Sequence, residues 1–142
     1  PKVTNCVFSG NSAGLGGGLY NYHSSPLLTN CILWWDSPDE IANGGDEYPV
    51  VNYSDIQGSY DGTGNIDADP LFADPGSGDY HLGPGSPCID AGANDAPSLP
   101  ACDWEGDPRV MDGNRDGTAV VDMGVDEGYG YTLYLALVFT SY

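Results

Sequence analysis

Asp112-Gly113-Asn114-Arg115-Asp116-Gly117 places side-chain oxygens at alternate positions and a glycine at the sixth. This is the pattern of the first half of a calcium loop. Alternate spacing lets a tight turn aim three oxygens at one hard cation, and the glycine permits the bend. The closing position falls on Met123 rather than on Glu, so Asp122 or Asp126 has to complete the shell. The candidate ligands are therefore Asp112, Asn114, Asp116, Asp122 and Asp126, with calcium as the cation. The competing reading is an Asx-rich turn without metal, because Asp, Asn and Gly dominate turns on their own account. Carboxylates this dense repel one another unless neutralised, which argues for the ion.

Other reactive side chains are sparse. Cys88 and Cys102 bracket a loop that holds Pro97 and Pro100. A disulfide there would staple a segment with little core, worth about 3 kcal/mol in the chain-entropy model. Two unrelated thiols are the alternative, and the bridge is the expectation. His23 and His81 stand alone, neither at metal-ligand spacing, and each reads as an ordinary turn or surface histidine. Trp34-Trp35 puts one indole on each face of a strand. The inner one is core. The outer one could stack on a sugar ring, or lie under a loop or a subunit contact. No nucleophile–base motif is present. A glycosidase needs two facing carboxylates, and on the strands only Asp36 and Asp55 stand near strand ends.

The elements that must position these groups announce themselves by repetition. Thr4-Asn5-Cys6-Val7-Phe8 returns as Thr29-Asn30-Cys31-Ile32-Leu33, and the glycine-dense stretch Gly14-Leu15-Gly16-Gly17-Gly18 lies between the copies. A return at a period of ~20–50 residues marks a stacked-repeat architecture, in which each unit buries its apolar face only against a neighbour. No stretch carries apolar residues at helical spacing over three turns. The expected fold is all-β: a short right-handed parallel β-helix with a loop-rich cap. Strands are expected over 3–8, 15–22, 27–35 and 50–56. Asn5 should stack on Asn30 and Cys6 on Cys31. Stacked strands lie ~4.8 Å apart, in an orientation poor for a disulfide, so both thiols read as small buried apolar groups.

Residues 1–58 are assigned to the rungs and 59–128 to an acidic cap folded back over the last rung. Residues 129–142 are a glycine hinge and a strongly apolar strand. In that strand Tyr131, Leu133, Leu135, Leu137 and Phe139 share one face at period two, and the other face is apolar as well. A strand apolar on both faces calls for burial on both sides. It has no charge to guard it as an edge, and the first rung has no cap before it. Insertion into a neighbour's sheet would build a head-to-tail filament.

Composition narrows the partners. Three basic residues, Lys2, Arg109 and Arg115, stand against 21 acidic ones, for a net charge of −18. Phosphate backbones need Lys and Arg, so nucleic acid is excluded, and anionic membrane surfaces are excluded likewise. No apolar run reaches the ~20 residues of a spanning helix. The charge suits an exported protein that collects cations. The chain starts at Pro1 with no signal peptide in view, as a mature form or a fragment would.

Several blocks then carry a resemblance: Asn65-Ile66-Asp67-Ala68-Asp69-Pro70-Leu71-Phe72, Gly78-Asp79-Tyr80-His81-Leu82, Gly85-Ser86-Pro87-Cys88-Ile89-Asp90-Ala91-Gly92, and Asp122-Met123-Gly124 followed by Glu127. Together with the Asn-Cys rungs they resemble the C-terminal part of secreted bacterial right-handed parallel β-helix surface proteins, of the choice-of-anchor and polymorphic-outer-membrane-repeat type. The resemblance implies the fold, and an extracellular or cell-surface location. β-Helix enzymes that act on acidic polysaccharides commonly use basic residues to bind substrate and abstract a proton, and this chain has few. The function expected is a non-enzymatic structural protein that assembles with itself. A carbohydrate-binding adhesin module is the first rival and a polysaccharide-degrading β-helix enzyme the second.

Overall fold

The computed structural model describes residues 1–128. The hinge and the expected assembly strand, with Tyr131, Leu133, Leu135, Leu137 and Phe139, lie outside the described residues. The chain is all-β with small, mostly parallel sheets. Its strands are β1 (Lys2–Thr4), β2 (Val7–Ser9), β3 (Leu19–Asn21), β4 (Leu27–Thr29), β5 (Ile32–Trp34), β6 (Ile41–Asn43), β7 (Val50–Asn52), β8 (Asp55–Ile56), β9 (Phe72–Asp74) and β10 (Asp79–Leu82). A 3₁₀ turn, Pro75–Ser77, joins the last two. Three ladders are parallel: β1-β4-β7, β2-β5-β8 and β3-β6. The β9–β10 pair is antiparallel.

Three of the four expected strands, 3–8, 27–35 and 50–56, are each broken in two, and 15–22 is strand only over Leu19–Asn21. Asn5, Asn30 and Tyr53 take left-handed φ values of 52°, 55° and 47°. Each is the corner between two strands: β1 and β2, β4 and β5, β7 and β8. Asparagine visits this region more readily than most residues because its short polar side chain bonds locally. The repeat Thr-Asn-Cys is thus a bend rather than a strand segment, and it moves the chain from one ladder to the next.

The register stacks equivalent residues. Val3, Leu28 and Val51 form one column, and Phe8, Leu33 and Ile56 another. These columns face inward with Cys31, giving a core of Leu28, Cys31, Leu33, Val51 and Ile56. Because side chains alternate along a strand, Ile32 and Trp34 face the other way. They meet Leu82, Cys88, Ile89 and Met123 in a second core. β5 is therefore buried on both faces.

The cap differs from the expectation in position. Residues 63–66 do extend the last layer: Tyr53 N–H donates to Thr63 O (2.8 Å) and Ile56 N–H to Ile66 O (3.0 Å). Beyond Pro70, however, the chain also runs along the outer flank of β2-β5-β8, where it supplies the far side of the second core. Ile32 and Trp34 need apolar cover there, and a segment placed only over the end of the stack would leave them in water.

Two asparagines fasten this flank. Asn30, fully buried, donates from Nδ2 to Asn5 Oδ1 and to Ala93 O (both 3.2 Å) and accepts Ala93 N–H at Oδ1 (2.8 Å). Asn5 Nδ2 donates to Asp122 O (2.9 Å) and Gly124 O (3.1 Å). Gly124 returns its N–H to Asn30 O at 2.8 Å. It has φ +94°, and a Cβ there would sit 2.9 Å from Ile32 Cδ1, so glycine is required by both backbone and contact. Replacing Asn30 separates two effects. Asn30→Ala strands buried groups, at about 1–3 kcal/mol each, and forces alanine into the left-handed region, at about 1–2 kcal/mol. Asn30→Gly removes the bonds alone. Chemical denaturation should show Asn30→Ala as the less stable of the two, and equal losses would show that the corner carries no strain.

Candidate metal centre

β10 places Asp79 and His81 two residues apart, hence on one face. Asp79 Oδ1 accepts the His81 backbone N–H at 3.1 Å and also pairs with His81 Nδ1. The other ring nitrogen, Nε2, points at Glu105 Oε2 (3.1 Å) and Asp126 Oδ1 (3.9 Å). The Trp104 ring lies beside the imidazole, with centroids 5.4 Å apart.

Glu105 is presented by a turn that Asp103 builds. Asp103 Oδ1 accepts the N–H groups of Glu105, Gly106 and Asp107 at 2.9, 2.8 and 2.9 Å, and Oδ2 accepts Glu127 N–H at 3.2 Å. Burial works against its charge, but the N–H groups of Asp107, Glu127, Gly106 and Glu105 win and hold its pKa below the ordinary value. Arg109, buried, fixes the neighbouring stretch through Gly124 O (3.2 Å), Val125 O (2.7 Å) and Glu127 Oε1 (3.2 Å). Asp126 sits between these supports and is 5% exposed. His81 is pushed up to about 9, first by Asp79 and then by Glu105.

Among the described residues, His81, Glu105 and Asp126 are the His, Cys, Asp and Glu side chains whose ligand atoms gather within 4.8 Å as a group of three. They could hold a metal ion. They line a cavity of about 220 Å³ with Leu82, Asp107, Glu127 and Gly128. In the sequence His81 stands alone. Its partners Glu105 and Asp126 come from segments far along the chain, and the sequence reading, in which His81 is an ordinary turn or surface histidine, misses the site.

The calcium candidates do not converge in this way. Asp112 accepts Asp116 N–H at Oδ1 and Gly117 N–H at Oδ2 (both 3.0 Å). Asn114 Oδ1 accepts Asp116 N–H (2.8 Å), and Asp116 Oδ1 accepts Thr118 N–H (2.8 Å). These oxygens fold their own turn. Asp122 is buried and accepts Asp90 N–H (2.7 Å) and Gly128 N–H (2.6 Å), while Asp126 faces His81. The structure thus assigns Asp122 and Asp126 to supports other than the 112–117 loop.

The Cys88–Cys102 bridge is not formed, and all four thiols are free. Cys88 is buried and donates from Sγ to Asp55 Oδ2 at 3.2 Å, whereas Cys102 is exposed in a bridge with Pro108. Cys88 is committed to the second core, where Asp55 replaces the apolar residue of the earlier rungs and needs a donor. Cys6 and Cys31 are free as expected, and burial pushes the Cys31 thiol up to about 12. Trp34 is buried against the flank. Trp35 is 47% exposed at φ +66°. It therefore leaves the strand at a corner rather than from its second face, and it meets the Phe72 ring edge-on at 6.5 Å.

Asp36 and Asp55 do not face each other across a cleft. Asp55 is fully buried and accepts Ala68 N–H (3.1 Å) as well as Cys88. Asp36 Oδ1 accepts Asn11 N–H (2.6 Å) and Nδ2 (2.8 Å), and Glu40 Oε1 accepts Asp36 N–H (3.0 Å). The remaining oxygens, Asp36 Oδ2 and Glu40 Oε2, are buried with no hydrogen-bond partner. Burial first, and then the neighbouring Asp36 side chain, raises Glu40 to about 7. Its proton stabilises the fold fully below the ordinary value of 4.5, and that contribution is lost as pH rises through about 7. Glu40→Gln, whose amide keeps a donor in place, should flatten this loss. Melting curves of wild type and variant should diverge across that interval, and parallel curves would exclude a raised Glu40. Asp55 and Asp122, raised to about 6 and about 7, are common to both proteins and cancel.

No family model, curated protein or solved structure matches this chain.

Proposed function

We propose that the chain is a short right-handed parallel β-helix from a secreted bacterial surface protein, acting as a non-enzymatic structural module that assembles head to tail. The observation that carries this reading is the stacking of equivalent residues in parallel register: Val3, Leu28 and Val51 form one column and Phe8, Leu33 and Ile56 another. Each layer buries its apolar face against the next, and a ladder of this kind extends by addition of another strand.

The element proposed to add is the segment 131–142, whose two apolar faces match a position between two sheets. Giver and receiver differ, so contacts propagate rather than close. An extracellular location and an absence of catalysis belong to the same reading. It is supported by the way Asp55 and Asp122 are spent on backbone N–H groups. Sedimentation and electron microscopy of the full chain should show concentration-dependent fibres, and removal of 131–142 should leave a folded monomer. Fibres that survive the deletion, or a full chain that stays monomeric at high concentration, would refute the assembly.

Calcium at the 112–117 loop is part of this proposal, held by Asp112, Asn114 and Asp116 with water completing the shell. Added Ca²⁺ should raise the melting temperature, and Asp116→Ala should abolish the rise. An unchanged melting temperature in wild type would remove calcium from the reading.

A further inference from the structure

We propose that His81, Glu105 and Asp126 bind one Zn²⁺ ion, which ties β10, the 103–107 turn and the stretch at Asp126 into one unit. The donor set is one imidazole nitrogen and two carboxylate oxygens. Zinc accepts both types at ~2.0–2.2 Å, and four-coordinate geometry then puts neighbouring ligand atoms about 3.3 Å apart. The observed separations from Nε2, 3.1 Å to Glu105 and 3.9 Å to Asp126, bracket that distance. The longer one is beyond hydrogen-bond reach, so the Asp126 carboxylate faces the imidazole across a gap that an ion would close. Asp126 is nevertheless buried, and the group that leans on it is the Leu82 backbone N–H.

The supporting shell is also in place. A ligating histidine commonly gives its other ring nitrogen to a carboxylate, which sets the tautomer and the ring direction. Asp79 takes that role at Nδ1. Coordination at Nε2 displaces its proton to solvent. Glu105 is held by the Asp103 turn, and Asp126 lies between the Arg109-bound carbonyl of Val125 and Glu127. The cavity of about 220 Å³ along these residues leaves room for water at the fourth position. Calcium fits poorly, because it takes six to eight oxygens at ~2.3–2.6 Å.

Three carboxylates, Asp79, Glu105 and Asp126, surround this single imidazole. A divalent ion neutralises more of that charge than the proton it replaces, and it joins three segments of the chain at one point. The proposal does not depend on self-assembly, and a strictly monomeric chain would bind the ion equally.

The test uses the full chain dialysed against Zn²⁺, followed by metal analysis, with Co²⁺ as a spectroscopic substitute. One equivalent of Zn²⁺ should be retained, and Co²⁺ should give the intense visible bands of a four- or five-coordinate site. His81→Ala and Glu105→Ala should both lose the ion, and Glu105 is exposed enough that its replacement leaves the fold intact. Asp79→Asn should weaken binding by about 10–100-fold, whereas Asp112→Ala should retain it. Failure to retain one equivalent overturns the proposal. So does equal retention by His81→Ala and Glu105→Ala, or a preference for Ca²⁺ over Zn²⁺ at the same residues.

Discussion

The left-handed corner at Asn30 is the constraint on which the rest of the molecule depends. Its backbone turns the chain from β4 into β5, so that Leu28 and Leu33 face one core while Ile32 and Trp34 face the other. Its side chain meanwhile bonds outward to Asn5 and Ala93, and its carbonyl accepts Gly124. One residue thereby sets the direction of a layer, its stacking on the layer before, and the docking of the flank. An apolar residue could serve none of these, because the corner would be strained and the buried amide and carbonyl groups facing it would be left unpaired.

Charge is the second organising problem. Asp36, Glu40, Asp55, Asp122, Asp126 and Glu127 are buried in a chain of net charge −18. Buried carboxylates are costly unless bonded or paired. Here the compensation is mostly backbone N–H: Asp122 takes two, Asp55 takes one with the Cys88 thiol, and Asp36 takes Asn11. Arg109 supplies a buried cation and spends it on two carbonyls and Glu127. Several acidic residues in this protein act as turn-builders, in the manner of Asp103.

The same logic separates the two candidate ion sites. Around Asp112 the oxygens bond to N–H groups of their own loop, a local arrangement that sequence spacing alone produces. Around His81 the ligands arrive from three places and keep atoms facing one another across a cavity. The first is an Asx turn with spare oxygens. The second is a convergence that has to be maintained by Asp79, Asp103 and Arg109.

The sequence by itself determined the layers. The return of Thr-Asn-Cys after 25 residues placed Asn5 beneath Asn30, and the repeat together with the absence of helical spacing fixed all-β structure, because both are local properties of the chain. It could not show that each Asn is a bend, since φ is chosen by what the corner must connect. It also could not show where residues 70–128 lie. Loops anchored by single apolar residues carry no period, so their placement was decided by the exposed face of β5 that needed covering. The Cys88–Cys102 pairing failed for the same reason: proximity in sequence favoured a staple, but the buried Asp55 claimed Cys88. His81, Glu105 and Asp126 became a site only when the flank folded back, because a shared centre built from distant segments leaves no spacing to read.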